Sequence, residues 1–323
     1  VLKSSAMDEI KELAEKANIP VCNTLVGLGS FPGDHELALG MVGMHGTVAA
    51  NYSTEEADLV IAAGIRFHDR ITGHPDFFCK KAKIIHIDID PAEIDKNVTI
   101  NVPIVGDLKQ VLTELNALVE AATHDAWLGQ IRAWQDEYPM VVPELVDGEL
   151  NPQYVLSELN KIANRDAIIV TDVGQHHMWA AQFLTHKMPH TIVTSGGAGT
   201  MGYGLPAAIG AQIGAPTKQV ILVVGDGGFQ MTFEELMMVK QYDLPIKIII
   251  INNGFLGMVR QWQEIFNKRR YSYVDLEMSP DFIKLADAFG LDAHRIESVE
   301  DFTSTFTNYI TSDESIILDC RVK

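Results

Sequence analysis

A chain of 323 residues is long enough for about two domains of ordinary size, and its hydrophobic fraction of 47% excludes a disordered protein. The formal net charge of −18 argues against nucleic acid or an anionic membrane surface as a partner. No uninterrupted apolar run approaches a membrane span, and the three cysteines share no metal-binding spacing. We therefore expect a protein of the reducing cytoplasm that binds neither nucleic acid nor a membrane.

The first part of the chain alternates helical and strand patterns. Helices are predicted at about residues 7–17, 46–56 and 107–120. Strands are predicted at residues 20–25, 58–63 and 83–88. This alternation predicts a Rossmann-like parallel sheet, and we assign residues 1–122 to a first domain.

Periodicity weakens after residue 121, where Pro139, Pro143 and Gly148 fall, and we place a linker at residues 123–150. Residues 151–323 resume the alternation and form a second domain. Its strands are predicted at residues 167–171, 190–194, 219–224, 246–251 and 315–320. The predicted fold class is α/β, with two Rossmann-like parallel-sheet domains.

Residues 221–253 carry the most informative pattern. A buried strand pattern ends at the sequence GDGG (225–228), a helical pattern follows, and a second buried strand pattern leads to Asn-Asn at 252–253. Because the carboxyl ends of neighbouring parallel strands lie side by side, Asp226 and Asn253 are expected to converge. Their oxygens suit Mg²⁺, and the glycines let backbone N–H groups approach a phosphate. The pattern predicts a diphosphate held through a metal ion.

Each half of this pattern also has a purely structural interpretation. A Gly-Asp-Gly after a strand is often a turn that caps a helix, and Asn-Asn is often a loop. Here both follow strands and are joined by one βαβ unit, and this combination favours the cofactor site.

The spacing of GDG and NN resembles the thiamine-diphosphate motif of the decarboxylase and carboligase superfamily. Residues 173–179, 195–210 and 257–262 resemble the acetohydroxyacid synthase (acetolactate synthase) catalytic-subunit family, and the resemblance covers essentially the whole chain. It implies a central FAD-binding domain followed by a C-terminal thiamine-diphosphate-binding domain. It also implies Asp226, Asn253 and the backbone carbonyl of Phe255 as Mg²⁺ ligands.

Further cofactor contacts are expected at the segment 173–176, which follows a strand. It could be an ordinary helix start, but its position at the same sheet edge favours contact of its amides, Gln175 and His176 with diphosphate oxygens. Residues assigned to thiamine diphosphate lie in these strand-end and glycine-rich segments: Val173, Gly174, Gln175, His176, Gly199, Met201, Gly225, Asp226, Gly227, Gly228, Asn253 and Met258.

Four apolar residues are assigned to the reacting centre. The residue type of Met201 alone indicates a residue that fills the hydrophobic core. The spacing of Met258, Val259 and Trp262 alone indicates the buried face of a helix. The resemblance instead implies that Met201 wedges between the two rings of the cofactor and bends it. It implies that the other three line the substrate channel, where Trp262 helps to select the second 2-ketoacid.

Three segments of the first domain, 43–46, 64–70 and 86–90, have candidate nucleotide-binding patterns. An acidic residue after a strand either caps a helix or meets ribose hydroxyls, and paired arginines bind phosphates or surface acids. The resemblance implies a structural FAD, with His68 in place of the family's usual aspartate. The residues assigned to FAD are Gly43, Met44, His45, Gly64, Arg66, Asp69, Arg70, Asp88, Ile89 and Asp107.

The implied activity is decarboxylation of pyruvate on thiamine diphosphate, followed by carboligation to pyruvate or 2-ketobutyrate in branched-chain amino-acid synthesis. In this family an N-terminal pyrimidine-binding domain carries the catalytic glutamate and comes from a second subunit of a homodimer or homotetramer. We expect this sequence to be a fragment without that domain and inactive alone. A small regulatory subunit is a further implied partner.

Two alternatives remain. One is another thiamine-diphosphate carboligase or decarboxylase, such as one that acts on glyoxylate. The other is a non-catalytic FAD-binding fragment, which would give no heat when titrated with thiamine diphosphate and Mg²⁺. A nicotinamide dehydrogenase is disfavoured because the first strand is not followed by Gly-x-Gly-x-x-Gly.

Overall fold

The computed structural model describes residues 1–323, which divide into two compact units. Unit 1 contains Val1–Met140 with His186–His190, and unit 2 contains Val141–Thr185 with Thr191–Lys323. None of the helices combines the length and the apolar character needed to cross a bilayer.

Unit 1 has two small parallel sheets, β1-β2 and β3-β4-β5. Its strands are β1 (Val21–Asn23), β2 (Ala38–Met41), β3 (Leu59–Ala63), β4 (Lys83–Asp88) and β5 (Val102–Val105). Its helices are α1 (Met7–Ala17), α2 (Val48–Glu56), α3 (Asp69–Thr72), α4 (Leu108–Leu118) and α5 (Asp125–Glu137). Along β4, Ile84 and Ile87 point to opposite faces and belong to two separate apolar clusters. The three-stranded sheet is therefore covered on both sides, as expected for parallel strands.

The predicted linker at 123–150 needs correction, because α5 lies within it. Ile131 is 2% exposed, and Trp127, Leu128 and Trp134 pack against the same apolar cluster of unit 1. These four residues share the helical spacing that marks a buried face. After α5, the rest of the predicted linker contains no helix or strand, up to the start of unit 2's first helix at Pro152.

Unit 2 is built on one six-stranded parallel sheet with the order β10-β11-β9-β8-β6-β7. The strands are β6 (Ile168–Thr171), β7 (Ile192–Val193), β8 (Val220–Gly225), β9 (Lys247–Asn252), β10 (Ala293–Ile296) and β11 (Ile316–Arg321). The helices are α6 (Pro152–Ile162), α7 (Gln175–Phe183), α8 (Gly204–Gly214), α9 (Asp226–Phe229), α10 (Leu236–Gln241), α11 (Gly257–Phe266), α12 (Phe282–Ala288) and α13 (Val299–Thr311). The α/β class with parallel sheets is confirmed.

The central strands β8 and β9 are buried along their whole length. Alternate residues enter two apolar clusters, so that Val223 and Ile249 lie on one face while Val224 and Ile250 lie on the other. Continuous apolar runs of this kind are typical of parallel strands covered by helices on both faces. Gly225 pairs in register with Ile251, which brings the ends of β8 and β9 to one edge of the sheet.

Unit 1 contains a buried histidine that couples its stability to pH. His186 is 5% exposed, its Nε2 has no hydrogen-bond partner, and burial lowers its pKa to about 4. In the unfolded chain its pKa returns to about 6.5, so the unfolded state takes up a proton first as pH falls. Its contribution to stability is therefore complete above about pH 6.5 and is lost as pH falls towards the folded pKa.

We expect the His186→Gln variant to have a flatter dependence of unfolding free energy on pH. Between pH 7.5 and pH 5 the difference from the wild type should reach about 2 kcal/mol. The unfolding free energy of each variant is measured by urea unfolding at both pH values, with hydrogen exchange of unit 1 peptides as the probe. The exposed His124 in the same unit provides the control variant His124→Gln. Equal pH dependence in the wild type and His186→Gln would contradict the expectation.

Candidate functional site

Asp226 and Asn253, predicted as metal ligands, lie at the adjacent ends of β8 and β9. The Asp226 carboxylate is 1% exposed, and its Oδ2 accepts a hydrogen bond from the Gly254 N–H at 3.0 Å. Asn253 Oδ1 accepts from the Phe255 N–H at 3.1 Å, and its Nδ2 donates to Gln175 Oε1 at 3.5 Å. The predicted convergence of the two motifs is confirmed, and it includes the segment after β6.

Burial raises the pKa of Asp226 to about 6, against the N–H groups of Gly227 and Gly254 and the charge of Arg321, which favour ionisation. A cation beside this carboxylate would offset the burial penalty. No group of three or more His, Cys, Asp or Glu side chains is arranged to hold a metal. One carboxylate, one amide oxygen and one carbonyl suit a hard cation such as Mg²⁺, which commonly takes its other oxygens from water or a phosphate. The donor set therefore fits Mg²⁺ with a diphosphate.

Asp172, at the end of β6, is a central residue that sequence reasoning missed. Its side chain is fully buried and accepts three backbone N–H groups, from Val173 at 2.8 Å, Gly202 at 3.2 Å and Gly204 at 2.7 Å. It thus ties the glycine-rich loop before α8 to the turn that precedes α7. The only sequence signal was an acidic residue at a strand end, a position that usually indicates a helix cap.

Two glycines of the GDGG segment are required by close neighbours. A Cβ on Gly228 would lie 2.2 Å from Asp172 Oδ1, and one on Gly225 would lie 2.8 Å from His176 Nδ1. The absence of side chains at these positions allows the start of α9 to approach the end of β6. Gly199 has a left-handed conformation (φ +59°) with open space around it.

His176 is buried at the start of α7, and its Nε2 has no hydrogen-bond partner. Burial, with the neighbouring His177, lowers its pKa to about 3 against a backbone hydrogen bond to Asp172. The ring is therefore neutral at ordinary pH and cannot act as a cation towards diphosphate. Its unpartnered nitrogen is an orphaned buried polar atom of the kind that a bound group satisfies. The Gly174 N-cap before it has φ +155°, a conformation that favours glycine.

Apolar side chains surround Gly227. A Cβ there would lie 2.7 Å from Leu256 Cδ2, 3.1 Å from Leu276 Cδ1 and 3.6 Å from Met201 Cε. Met201 Cε therefore lies close to Gly227 of the GDGG segment. Sequence reasoning missed Leu256 and Leu276, because their approach depends on a loop that is distant in sequence.

Met258, Val259 and Trp262 lie on α11, which contains no buried residue. Val259 is 48% exposed and Trp262 is 38% exposed, so the interpretation of this helix as a core face is wrong. The start of α11 contacts the segment after β6, because Gln175 Nε2 donates to Gln261 Oε1 at 3.3 Å. Val259, Ile265 and Phe266 of this helix are exposed, so part of its apolar side is uncovered.

The residues predicted to bind FAD form two groups in unit 1. In the first, Met44 donates its backbone N–H to the Arg70 carbonyl at 2.9 Å, and a Cβ on Gly43 would lie 2.4 Å from that oxygen. His45 is close enough to Arg70 for its charge, together with burial, to lower the pKa of the imidazole. His68 retains a capping function, since its Nδ1 accepts the Arg70 N–H at 3.3 Å at the start of α3, where Asp69 follows.

The second group lies at the carboxyl edge of β3-β4-β5. The Gly64 N–H bonds the Ile87 carbonyl, and the Gly106 N–H bonds the Asp88 carbonyl. Ile89 is 69% exposed next to this edge, and Asp107 caps α4 with its side chain. Arg66 follows Gly64, and its carbonyl accepts a hydrogen bond from Asn97. Each of these positions faces the edge at which nucleotides bind in such sheets.

Comparisons with known proteins agree with this architecture. Residues 172–320 match the family model described as the thiamine pyrophosphate enzyme C-terminal TPP binding domain, and residues 1–115 match the model for the central domain. Unit 2 therefore has the fold and cofactor-binding motifs of thiamine pyrophosphate enzymes.

Similar proteins show to which family of thiamine pyrophosphate enzymes the chain belongs. The chain is 47% identical to the probable acetolactate synthase large subunit of Methanocaldococcus jannaschii, over 99% of this chain and 55% of that protein. Identity is 47% to the acetolactate synthase large subunit of Porphyra purpurea, with the same coverage, and 46% to the acetolactate synthase of Mycobacterium bovis, over 100% of this chain and 53% of that protein. The chain belongs to the acetolactate synthase large-subunit family. It spans about half the length of these relatives.

Proposed function

We propose that this chain forms the thiamine-diphosphate-binding and central parts of an acetolactate synthase. The observation that carries the proposal is the hydrogen bond from Gly254 to Asp226, which joins the GDG and NN motifs beside Gln175. The reaction is decarboxylation of pyruvate and carboligation to a second pyruvate or to 2-ketobutyrate. When bound, thiamine diphosphate would take up the electron pair that decarboxylation releases and return it to the carbon–carbon bond formed with the second 2-ketoacid.

The residues of unit 2 bind and orient that cofactor. Asp226, Asn253 and the Phe255 carbonyl would hold Mg²⁺, which would supply positive charge for the diphosphate. The Val173 N–H is taken by Asp172, so the N–H groups of Gly174 and Gln175 at the start of α7 would be the backbone donors to the diphosphate. Met201 would support the bend between the two rings of the cofactor; its Cε lies 3.6 Å from a Cβ built on Gly227, next to the GDGG segment. Burial lowers the pKa of His176 to about 3, so its contact with the diphosphate would be a hydrogen bond from a neutral ring, and the metal ion would balance the negative charge of the diphosphate.

The exposed apolar face of α11 supports its assignment to a substrate channel. Met258, Val259 and Trp262 exclude water from the reacting centre, and Trp262 selects the second 2-ketoacid. Partners proposed from the family are a second catalytic subunit, which brings a pyrimidine-binding domain, and a small regulatory subunit.

We propose a structural FAD in unit 1, at the two residue groups described above. The domain limits proposed with this assignment are residues 1–122 for the flavin domain, extended to residue 140 by α5, and residues 151–323 for the thiamine-diphosphate domain. The left-handed or closely packed glycines Gly43 and Gly64 support it, because they let backbone approach a ligand. His68 caps α3, the helix that contains Arg70.

The test is product formation by the protein expressed from its complete gene and supplied with Mg²⁺, thiamine diphosphate and FAD. Acetolactate from pyruvate is the expected product, and adding 2-ketobutyrate should divert part of the flux to acetohydroxybutyrate. Product from glyoxylate instead would favour another carboligase. Binding of FAD without any heat from thiamine diphosphate and Mg²⁺ would favour a non-catalytic flavin-binding fragment.

A further inference from the structure

A fully buried carboxylate lies near the cofactor site without belonging to it. Asp319, on β11, is 0% exposed. Its Oδ1 accepts a hydrogen bond from Asn252 Nδ2 at 2.7 Å. Its Oδ2 accepts from Arg295 Nε at 3.2 Å and pairs with Arg321 Nε at 3.4 Å. Burial of a carboxylate costs desolvation free energy, which its partners must offset. Asp319 therefore either stabilises the fold or positions the residues that it contacts.

The side chain at the centre of these contacts is that of Asn252. It is 2% exposed and belongs to the last position of β9. Its Nδ2 donates to Asp319, and its Oδ1 accepts from Arg321 Nη1 at 3.3 Å. Its carbonyl accepts the Val322 N–H at 3.0 Å. The amide nitrogen and the amide oxygen of Asn252 are therefore both hydrogen-bonded to side chains of β11, and these two bonds fix the orientation of the amide group.

The residue that follows Asn252 is the proposed metal ligand Asn253. The chain then turns at Gly254, whose φ is +73° and whose N–H bonds Asp226. Displacement of Asn252 would therefore move the neighbouring Asn253 directly, and it would move Asp226 through the hydrogen bond from Gly254. Geometry at a binding centre is sensitive to shifts of about 1 Å.

We propose that Asp319 and Arg321 are positioning residues, which hold the end of β9 so that Asn253 and Asp226 meet one metal ion. The inference rests on the proposed function. Asp319 acts through the side chain of Asn252. Arg321 bonds the same side chain, and its charge also favours ionisation of Asp226. The register pair Arg321–Asn252 at the end of the β11–β9 ladder keeps the three residues together.

The Asp319→Asn variant should raise the dissociation constant of Mg²⁺, measured by calorimetry at saturating thiamine diphosphate, by about tenfold or more. Its single amide oxygen would be drawn to the two arginines, and its NH2 group would then face the Asn252 NH2 group. The double variant Asp319→Asn/Asn252→Asp restores a donor–acceptor pair and conserves net charge. It should return the affinity to within about threefold of the wild type.

The matched control is Asp281→Asn. Asp281 bonds Arg295 Nη2 at 2.8 Å in the same chain of contacts but does not reach Asn252. This variant loses a charge from the network and should leave the Mg²⁺ affinity within about threefold of the wild type. Equal loss of Mg²⁺ affinity in Asp281→Asn and Asp319→Asn would mean that these contacts stabilise the fold and do not position the metal ligands.

Other results also overturn the inference: unchanged affinity in Asp319→Asn, or no recovery in the double variant. If Asp319→Asn does not fold, Arg321→Lys replaces it, because that side chain is 40% exposed and lysine keeps the positive charge that acts on Asp226 while removing the guanidinium bond to Asn252 Oδ1. Unchanged Mg²⁺ affinity there has the same meaning. Failure of the proposed function is separate, because the wild type itself would then bind no Mg²⁺ with thiamine diphosphate.

Discussion

Replacement of Asp226 by asparagine is expected to weaken Mg²⁺-dependent binding of thiamine diphosphate by about a hundredfold or more. Loss of a residue that only orients a ligand costs about 10–100-fold in metal affinity, and Asp226 is the only carboxylate in the proposed ligand set. Asparagine keeps the shape of the side chain and can still accept the Gly254 N–H. The loss should therefore come from the missing charge rather than from a changed fold.

Calorimetric titration of the Asp226→Asn variant with Mg²⁺ and thiamine diphosphate measures this effect. The control is Asp287→Asn, which removes an exposed aspartate from α12 of the same unit. The Asn253→Ala variant should bind more weakly than the wild type but better than Asp226→Asn, since it loses a neutral oxygen. Wild-type affinity in Asp226→Asn would remove Asp226 from the metal site.

Replacement of Gly228 by alanine is expected to destabilise unit 2 by about 3 kcal/mol, at the upper end of overpacking effects. The added methyl group would lie 2.2 Å from Asp172 Oδ1 and 2.9 Å from its Cγ. Asp172 cannot move aside without abandoning three backbone N–H groups, whose loss leaves a buried charge without partners. Either outcome disrupts the contact between β6 and the start of α9.

Hydrogen exchange of peptides covering β6 and β8, measured in increasing urea, reports this loss. The matched control is Gly210→Ala within α8, where a Cβ meets nothing within 4 Å. That variant should be more stable than the wild type by roughly 0.5–1 kcal/mol, because alanine favours helix. Gly228→Ala with wild-type protection would mean that Asp172 and α9 are not held in contact.

Local sequence patterns were sufficient to predict most of the helices and strands. Apolar, β-branched runs predicted β8 and β9 to within one residue, since strands buried on both faces need continuous apolar sequence. Helix α1 was predicted with its observed limits, because its charged and apolar residues alternate with helical period. Helix α5 was missed although Ile131 and its aromatic neighbours show the same period, because prolines nearby favoured a linker.

The sequence by itself determined the fold class, the family and the position of GDG and NN at strand ends, because these depend on residues close together in the chain. Only the tertiary structure decided which groups surround them. Asp172 meets Gly202 and Gly204, some thirty residues away, and Asp319 meets Asn252 from a neighbouring strand. It also decided that α11 is exposed rather than a core face. Periodicity reports that one side of a segment is apolar, whereas the partner of that side depends on how distant segments pack.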